Sequence, residues 1–154
     1  SLSKTANMTG WRVGFAAGNR DMVNALMRVK SNIDSGLSQA NQEMGIAALN
    51  LPSSWLDKNN EVYQKRRDKV VATLNEIGVP AVAPKGALYI WTPIPEGYTS
   101  AEFAQKLLDD ADVVVTPGNG YGPGGEGYIR LSLTIPDDQI DEGLRRLAKI
   151  RVNA

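Results

Sequence analysis

The sequence predicts an α/β fold, a small mixed sheet flanked by helices, with an α+β sandwich over residues 51–154. Three observations predict it. After Pro52 the patterns run helix, strand, strand, helix, strand, strand, helix. The segment Tyr128–Leu133 alternates apolar and polar residues, as a half-buried strand does. The helical stretches are punctuated by Gly or Pro stops, and no internal repeat points to a solenoid.

Each element follows in order. Trp11–Gly18 (WRVGFAAG) reads as a short buried strand closed by glycine. A helix opens at Asn19 to Asp21, with Met22, Val23, Leu26, Met27 and Val29 near helical spacing. Ser31–Gly36 is dense in turn formers and reads as a loop. A second helix runs from about Ser38 to Leu49 and stops before Pro52. The longest helical pattern spans about Trp55 to Ile77, ends at Gly78, and is long enough to bridge two lobes. Val79–Ala83 is a short strand candidate, and Ala87–Thr92 is a strand ended by Pro93. Thr99 and Ser100 cap a helix over Ala101–Leu108. Asp112–Thr116 reads as a strand, Pro117–Gly127 as a long Gly/Pro-rich loop, and Tyr128–Leu133 as the next strand. Pro136, Asp137 and Asp138 start a last helix whose core face is Ile140, Leu144, Leu147 and Ile150.

Composition excludes several function classes. The 154 residues hold 17 Lys plus Arg and 17 Asp plus Glu, so no basic excess points to nucleic acid or an anionic membrane. No apolar run approaches the roughly 20 residues that span a bilayer. The chain has no Cys and no His. Disulfides, thiol nucleophiles, Ser-His-Asp triads and the usual imidazole metal sites are therefore excluded, and no metal is expected. The balance of 42% hydrophobic and 22% charged residues is that of a globular cytoplasmic enzyme.

Two constellations carry chemistry. In the first, Lys4 sits among the hydroxyls of Ser1, Ser3 and Thr5, with a fixed cation, Arg12, eight residues on. A lysine that attacks an aldehyde must deprotonate near neutral pH, and a nearby cation with partial desolvation favours that. A phosphate dianion needs hydroxyl donors and a guanidinium. On composition alone, such a pair near a terminus is a pair of solvated charges. In the second, the glycine-rich stretch Thr116–Gly127 delivers the chain into Arg130, on the more polar face of its strand. A guanidinium there can grip a carboxylate bidentately; an outward-facing surface arginine is the plainer alternative.

The strings SLSKTANMTGWRVGF and PGNGYGPGGEGYIRLSL resemble the cofactor-lysine motif and the substrate-arginine motif of class I/II (fold type I) aminotransferases. The Ser31–Gly36 loop with Ser38, Gln39 and Ala40 is similar to the aspartate and LL-diaminopimelate subset. The resemblance implies pyridoxal 5'-phosphate as cofactor and the fold of the C-terminal part of that family. It implies that Lys4 bonds the cofactor as a Schiff base and moves a proton, that Ser1 and Arg12 bind its phosphate, and that Arg130 holds the substrate α-carboxylate. Ser3 is a structural hydroxyl or a further ligand. The implied reaction is amino-group transfer between an α-amino acid and a 2-oxo acid. A C–S β-lyase of the same fold and a non-catalytic dimerisation module are the rivals.

The resemblance covers only the later part of the family pattern. Residues 1–50 correspond to the end of the large cofactor-binding domain and 51–154 to the small domain. The missing N-terminal part holds the family's glycine-rich helix start at the phosphate, the ring-stacking aromatic, the Asn and Tyr at the ring hydroxyl and the Asp at the ring nitrogen. The chain alone is therefore expected to be inactive or nearly so. Exposed large-domain surface should promote association, and a homodimer is the expected assembly. Tyr89 and Trp91 read as scaffold, and no chemistry is assigned to Asn119 or Tyr121.

Overall fold

The computed structural model describes residues 1–150 and Val152. Two compact units divide the chain, Ser1–Asn59 and Asn60–Ala154.

The first unit is helical. Helix α1 (Leu2–Thr5) is one turn, followed by a 3-10 turn at Thr9–Trp11. Helix α2 (Arg20–Lys30) starts where Asn19 Oδ1 accepts the amides of Asp21 and Met22, so an orphan-donor problem is solved by the residue best suited to it. Helix α3 (Gln39–Leu49) is capped in the same way by Ser38 Oγ. Helix α4 (Ser53–Glu76) begins after Pro52, whose missing N–H costs nothing ahead of a first turn. The core of this unit is small: Leu2, Met8 and Val13, with Leu37, Met44 and Ala48 packed against them. Gly45 permits it, because a Cβ there would press on Val13 Cγ1 at 3.1 Å.

The expected strand at Trp11–Gly18 is absent. Arg12 adopts a left-handed conformation (φ 55°), and of this stretch only Val13 is buried. Phe15 is 68% exposed. Apolar composition suggested a strand, but among the described residues of this unit there is no other strand for it to pair with.

The second unit holds the sheet. Strand β1 (Tyr89–Pro93), helix α5 (Ser100–Ala111), strand β2 (Thr116–Pro117), strand β3 (Tyr128–Ser132) and helix α6 (Asp137–Leu147) follow the C-terminal part of α4. The spatial order is β1-β3-β2. Both pairings are antiparallel, where the sequence predicts a mixed sheet. The reason is the insertion of β3. The order β1, α5, β2 is that of a parallel crossover unit, but β3 enters between the two strands and pairs antiparallel with each.

Alternation sets the faces. Ile90, Thr92, Ile129 and Leu131 are buried, while Tyr89, Trp91, Tyr128, Arg130 and Ser132 are partly or well exposed. The buried face packs on Leu74 of α4, Phe103 and Leu107 of α5, and Ile140 and Leu147 of α6. Each fully buried Leu, Ile or Phe contributes about 1.5–3 kcal/mol through area removed from water. Of the α6 face expected from sequence, Ile140, Leu147 and Ile150 are buried and Leu144 is partly so. A complete capping box starts α5: Thr99 Oγ1 accepts the Glu102 amide and the Glu102 carboxylate accepts the Thr99 amide.

Two further strand expectations shrink. Val79–Ala83 buries Val79 and Ala81 but forms no ladder. Asp112 is left-handed (φ 51°) because it ends α5, so only Thr116 and Pro117 reach the sheet.

Candidate functional site

The first constellation lies in the first unit. Ser1 caps α1, and its Oγ accepts the Ser3 amide at 3.2 Å. The same hydroxyl stands 3.0 Å from Ser3 Oγ and 3.5 Å from the Val13 carbonyl oxygen. Leu2 donates its amide to that carbonyl at 3.1 Å. The helix that carries Lys4 is thereby tied to the residue next to Arg12. A second tie runs from Thr9 Oγ1 to the Ser3 carbonyl at 3.0 Å. Arg12 Nη1 donates to the Thr9 carbonyl at 3.1 Å, and Asn41 Nδ2 holds the Trp11 carbonyl at 3.1 Å.

Ser1, Lys4 and Arg12 are all exposed. No carboxylate pairs with Lys4 or Arg12 among the described residues. This donor set suits a phosphate-bearing aldehyde: a hydroxyl, a guanidinium with most of its five N–H donors unspent, and an amine not neutralised by an anion. Asp34 takes no part. It accepts from Lys30 Nζ and from the Gly36 amide at 2.8 Å, as a turn carboxylate, and these contacts hold its pKa below the usual value.

The second constellation lies in the second unit. Arg130 sits in the middle strand, opposite Trp91 on β1 and Thr116 on β2. Its guanidinium carbon lies 4.2 Å from the Tyr89 ring centre and 4.8 Å from that of Tyr121. Trp91 meets Tyr121 edge-on at 5.7 Å and stacks on Tyr128 at 5.5 Å. Trp91, read from sequence as scaffold, is therefore not part of the buried core. It is 42% exposed and belongs to an aromatic surface around Arg130.

The glycine-rich loop that places Tyr121 is ordered into two 3-10 turns, Gly118–Tyr121 and Pro123–Gly125. Gly118 and Gly125 approach so closely that a Cβ on either would collide with the other's carbonyl oxygen. Ser100, fully buried, anchors the end of the loop: its Oγ accepts the amides of Gly127 (2.9 Å) and Tyr128 (3.1 Å). The Glu126 carboxylate accepts the Ser100 amide at 2.7 Å. That bond, followed by those from Gly127, the Ser100 hydroxyl and Asn119, holds the Glu126 pKa below its ordinary value against some desolvation.

Sequence reasoning missed Tyr121, Ser100 and Glu126. The Thr99-Ser100 cap signal marked the helix start, but nothing in the sequence tells that Ser100 Oγ bonds the loop twenty-seven residues on.

The chain is similar to known proteins over nearly its whole length. The family model described as aminotransferase class I and II covers residues 1–147. The chain is 58% identical over its whole length to an LL-diaminopimelate aminotransferase of Dehalococcoides mccartyi, and covers 40% of that relative. It is 47% identical over 152 residues to the LL-diaminopimelate aminotransferase of Aquifex aeolicus, covering 39% of it. Among solved structures, BacF of Bacillus subtilis superposes with a TM-score of 0.88 at 34% identity, over 97% of this chain and 38% of that one. The aspartate aminotransferase of Rhizobium meliloti superposes with a TM-score of 0.85 at 35% identity, over 96% and 39%. The 154 residues thus span about 40% of the curated relative's length. They belong to the class I and II aminotransferase family.

Proposed function

We infer that this chain carries the lysine and the carboxylate-binding arginine of a pyridoxal-phosphate-dependent enzyme that moves an amino group between an α-amino acid and a 2-oxo acid. The observation that carries the reading is the first constellation. An amine without an anionic partner rides on a one-turn helix bonded to the segment that presents a guanidinium. The LL-diaminopimelate aminotransferase relatives favour a diamino dicarboxylate as amino donor.

When bound, the cofactor supplies an electron sink that stabilises negative charge at the substrate Cα. Each chain residue has a distinct task. Ser1 donates its hydroxyl proton to the phosphate, and Arg12 donates N–H groups to the same dianion. Lys4 Nζ would hold the cofactor, and the same amine would serve as the base and acid that takes and returns the proton at the substrate Cα. Arg130 donates two N–H groups to the substrate α-carboxylate, which fixes the Cα–H bond for that transfer.

In this reading residues 1–50 belong to the large cofactor-binding domain and 51–154 to the small domain; Arg151, Asn153 and Ala154 lie outside the described residues. The enzyme acts in the cytoplasm as a homodimer. Turnover by the 154 residues, which span about 40% of the curated relative's length, is expected to be negligible.

The test is titration with pyridoxal phosphate, borohydride reduction and peptide mapping, with Lys4→Ala as control. One equivalent of label at Lys4, absent from the control, is the expected result. Labelling scattered over surface lysines and unchanged in the control overturns the assignment of Lys4.

A further inference from the structure

The Arg130 side chain shows an unusual set of neighbours. Among the described residues it forms no ion pair and donates no hydrogen bond; its contacts are the rings of Tyr89 and Tyr121. The opposed residue Trp91 reaches Tyr121 rather than any acceptor. A guanidinium carries its five N–H donors in its own plane, and its attraction to the face of an aromatic ring, here with Cζ 4.2 and 4.8 Å from two ring centres, needs no lone-pair acceptor. Rings therefore restrain this cation without using the donors that a carboxylate needs. A protein carboxylate in their place would fix Arg130 equally well but would occupy those donors.

The two rings arrive by different routes. Tyr89 lies on β1 opposite Ser132, which makes Tyr89 a diagonal cross-strand neighbour of Arg130 on the same sheet face. Tyr121 comes from the glycine-rich loop, whose course is set by the Gly118–Gly125 contact and by Ser100. Trp91, stacked on Tyr128, holds Tyr121 from its edge.

We propose that Tyr89 and Tyr121 are positioning residues for carboxylate capture, which hold the Arg130 guanidinium by its face and leave its N–H edge to the α-carboxylate of the substrate. The inference rests on the reading of Arg130 as the carboxylate anchor. It concerns the rings' π faces and not their hydroxyls, so phenylalanine serves at either position.

The experiment uses the full 154-residue chain and propionate as probe, with the Arg130 Nε–Hε signal followed by NMR. In the unsubstituted chain that proton is shifted by the two ring currents, and it moves further on titration with propionate. Tyr121→Phe keeps the shift and the dissociation constant. Tyr121→Leu, at a half-exposed site where folding is not at stake, loses part of the shift and weakens propionate about threefold to tenfold. Tyr89→Phe and Tyr89→Leu behave as the corresponding pair. Leucine variants that bind propionate as the unsubstituted chain does overturn the proposal, as do phenylalanine variants that lose as much as leucine. Arg130→Met separates the two readings. If it abolishes binding while the leucine variants do not weaken it, only the rings' role falls. If it leaves binding intact, the anchor reading and this proposal fall together.

Discussion

Ser100 Oγ lies 2.9 Å from the Gly127 amide nitrogen and accepts its hydrogen bond, which ties the first turn of α5 to the end of the loop that leads into β3. The neighbouring amide of Tyr128 shares the same oxygen at 3.1 Å. One buried hydroxyl thus serves two backbone donors just ahead of the sheet's middle strand.

Ser100→Ala should leave the part-buried amides of Gly127 and Tyr128 without that acceptor. The expected cost is about 1–2 kcal/mol, from the roughly 0.5–1.5 kcal/mol net contribution of each hydrogen bond. Urea unfolding of the variant measures it directly. A midpoint equal to that of the unsubstituted chain would mean that the loop finds other partners.

Glu126 gives a pH signature. Its folded-state pKa is depressed below its ordinary 4.5, chiefly by the Ser100 amide. A carboxyl with a depressed folded pKa contributes stability above its unfolded pKa and loses it as pH falls through the folded value. Glu126→Gln should therefore be less stable than the unsubstituted chain near neutrality, and the gap should close below about pH 4.5. Denaturant midpoints across pH 3 to 7, a span chosen to bracket the usual carboxyl range, test this. A gap that stays constant with pH would show that the contact acts through shape and not charge.

Gly118→Ala meets backbone rather than a movable side chain, the carbonyl oxygen of Gly125. Relief requires the two 3-10 turns to separate. The expected loss is about 1–3 kcal/mol, as for other overpacked sites, with disturbance centred on Tyr121. Heteronuclear NMR shifts that spread along residues 118–130 would confirm the location. An unaltered spectrum would refute it.

Helix α2 exposes a stripe at i, i+4, i+7: Met22, Leu26 and Val29, which are 74%, 52% and 60% accessible. No residue of this helix is buried. Such a stripe on a charged helix marks an association surface. Sedimentation of the chain should show concentration-dependent self-association, reduced in the Met22→Lys/Leu26→Lys double variant. A monodisperse monomer at all concentrations would count against it.

Helix starts were the most legible part of the fold. Asn19, Ser38 and Thr99 each cap the helix their type suggests, because capping is a local transaction between a side chain and amides two or three residues on. Strands were less legible, since a strand exists only if a partner lies alongside. Val79 and Ala81 are as buried as strand residues yet have no ladder, and Trp11–Gly18 has neither ladder nor much burial. The candidate site divides in the same way. Ser1, Lys4, Arg12 and Arg130 stand out as residue types in motif strings, whereas the rings around Arg130 depend on β1–β3 register and on the path of a glycine-rich loop. Neither is written in composition.

The central position of β3 has a consequence for motion. Arg130 lies opposite residues of both neighbouring strands, so freeing its backbone means opening two ladders at once. Segments of that kind exchange their amide protons through cooperative openings, while loops do so through local fraying. The cation is mounted on the stiff part of the sheet and Tyr121 on the loop beside it. Ligands of different shape would then be met by adjustment of the ring, with the charge left where it stands.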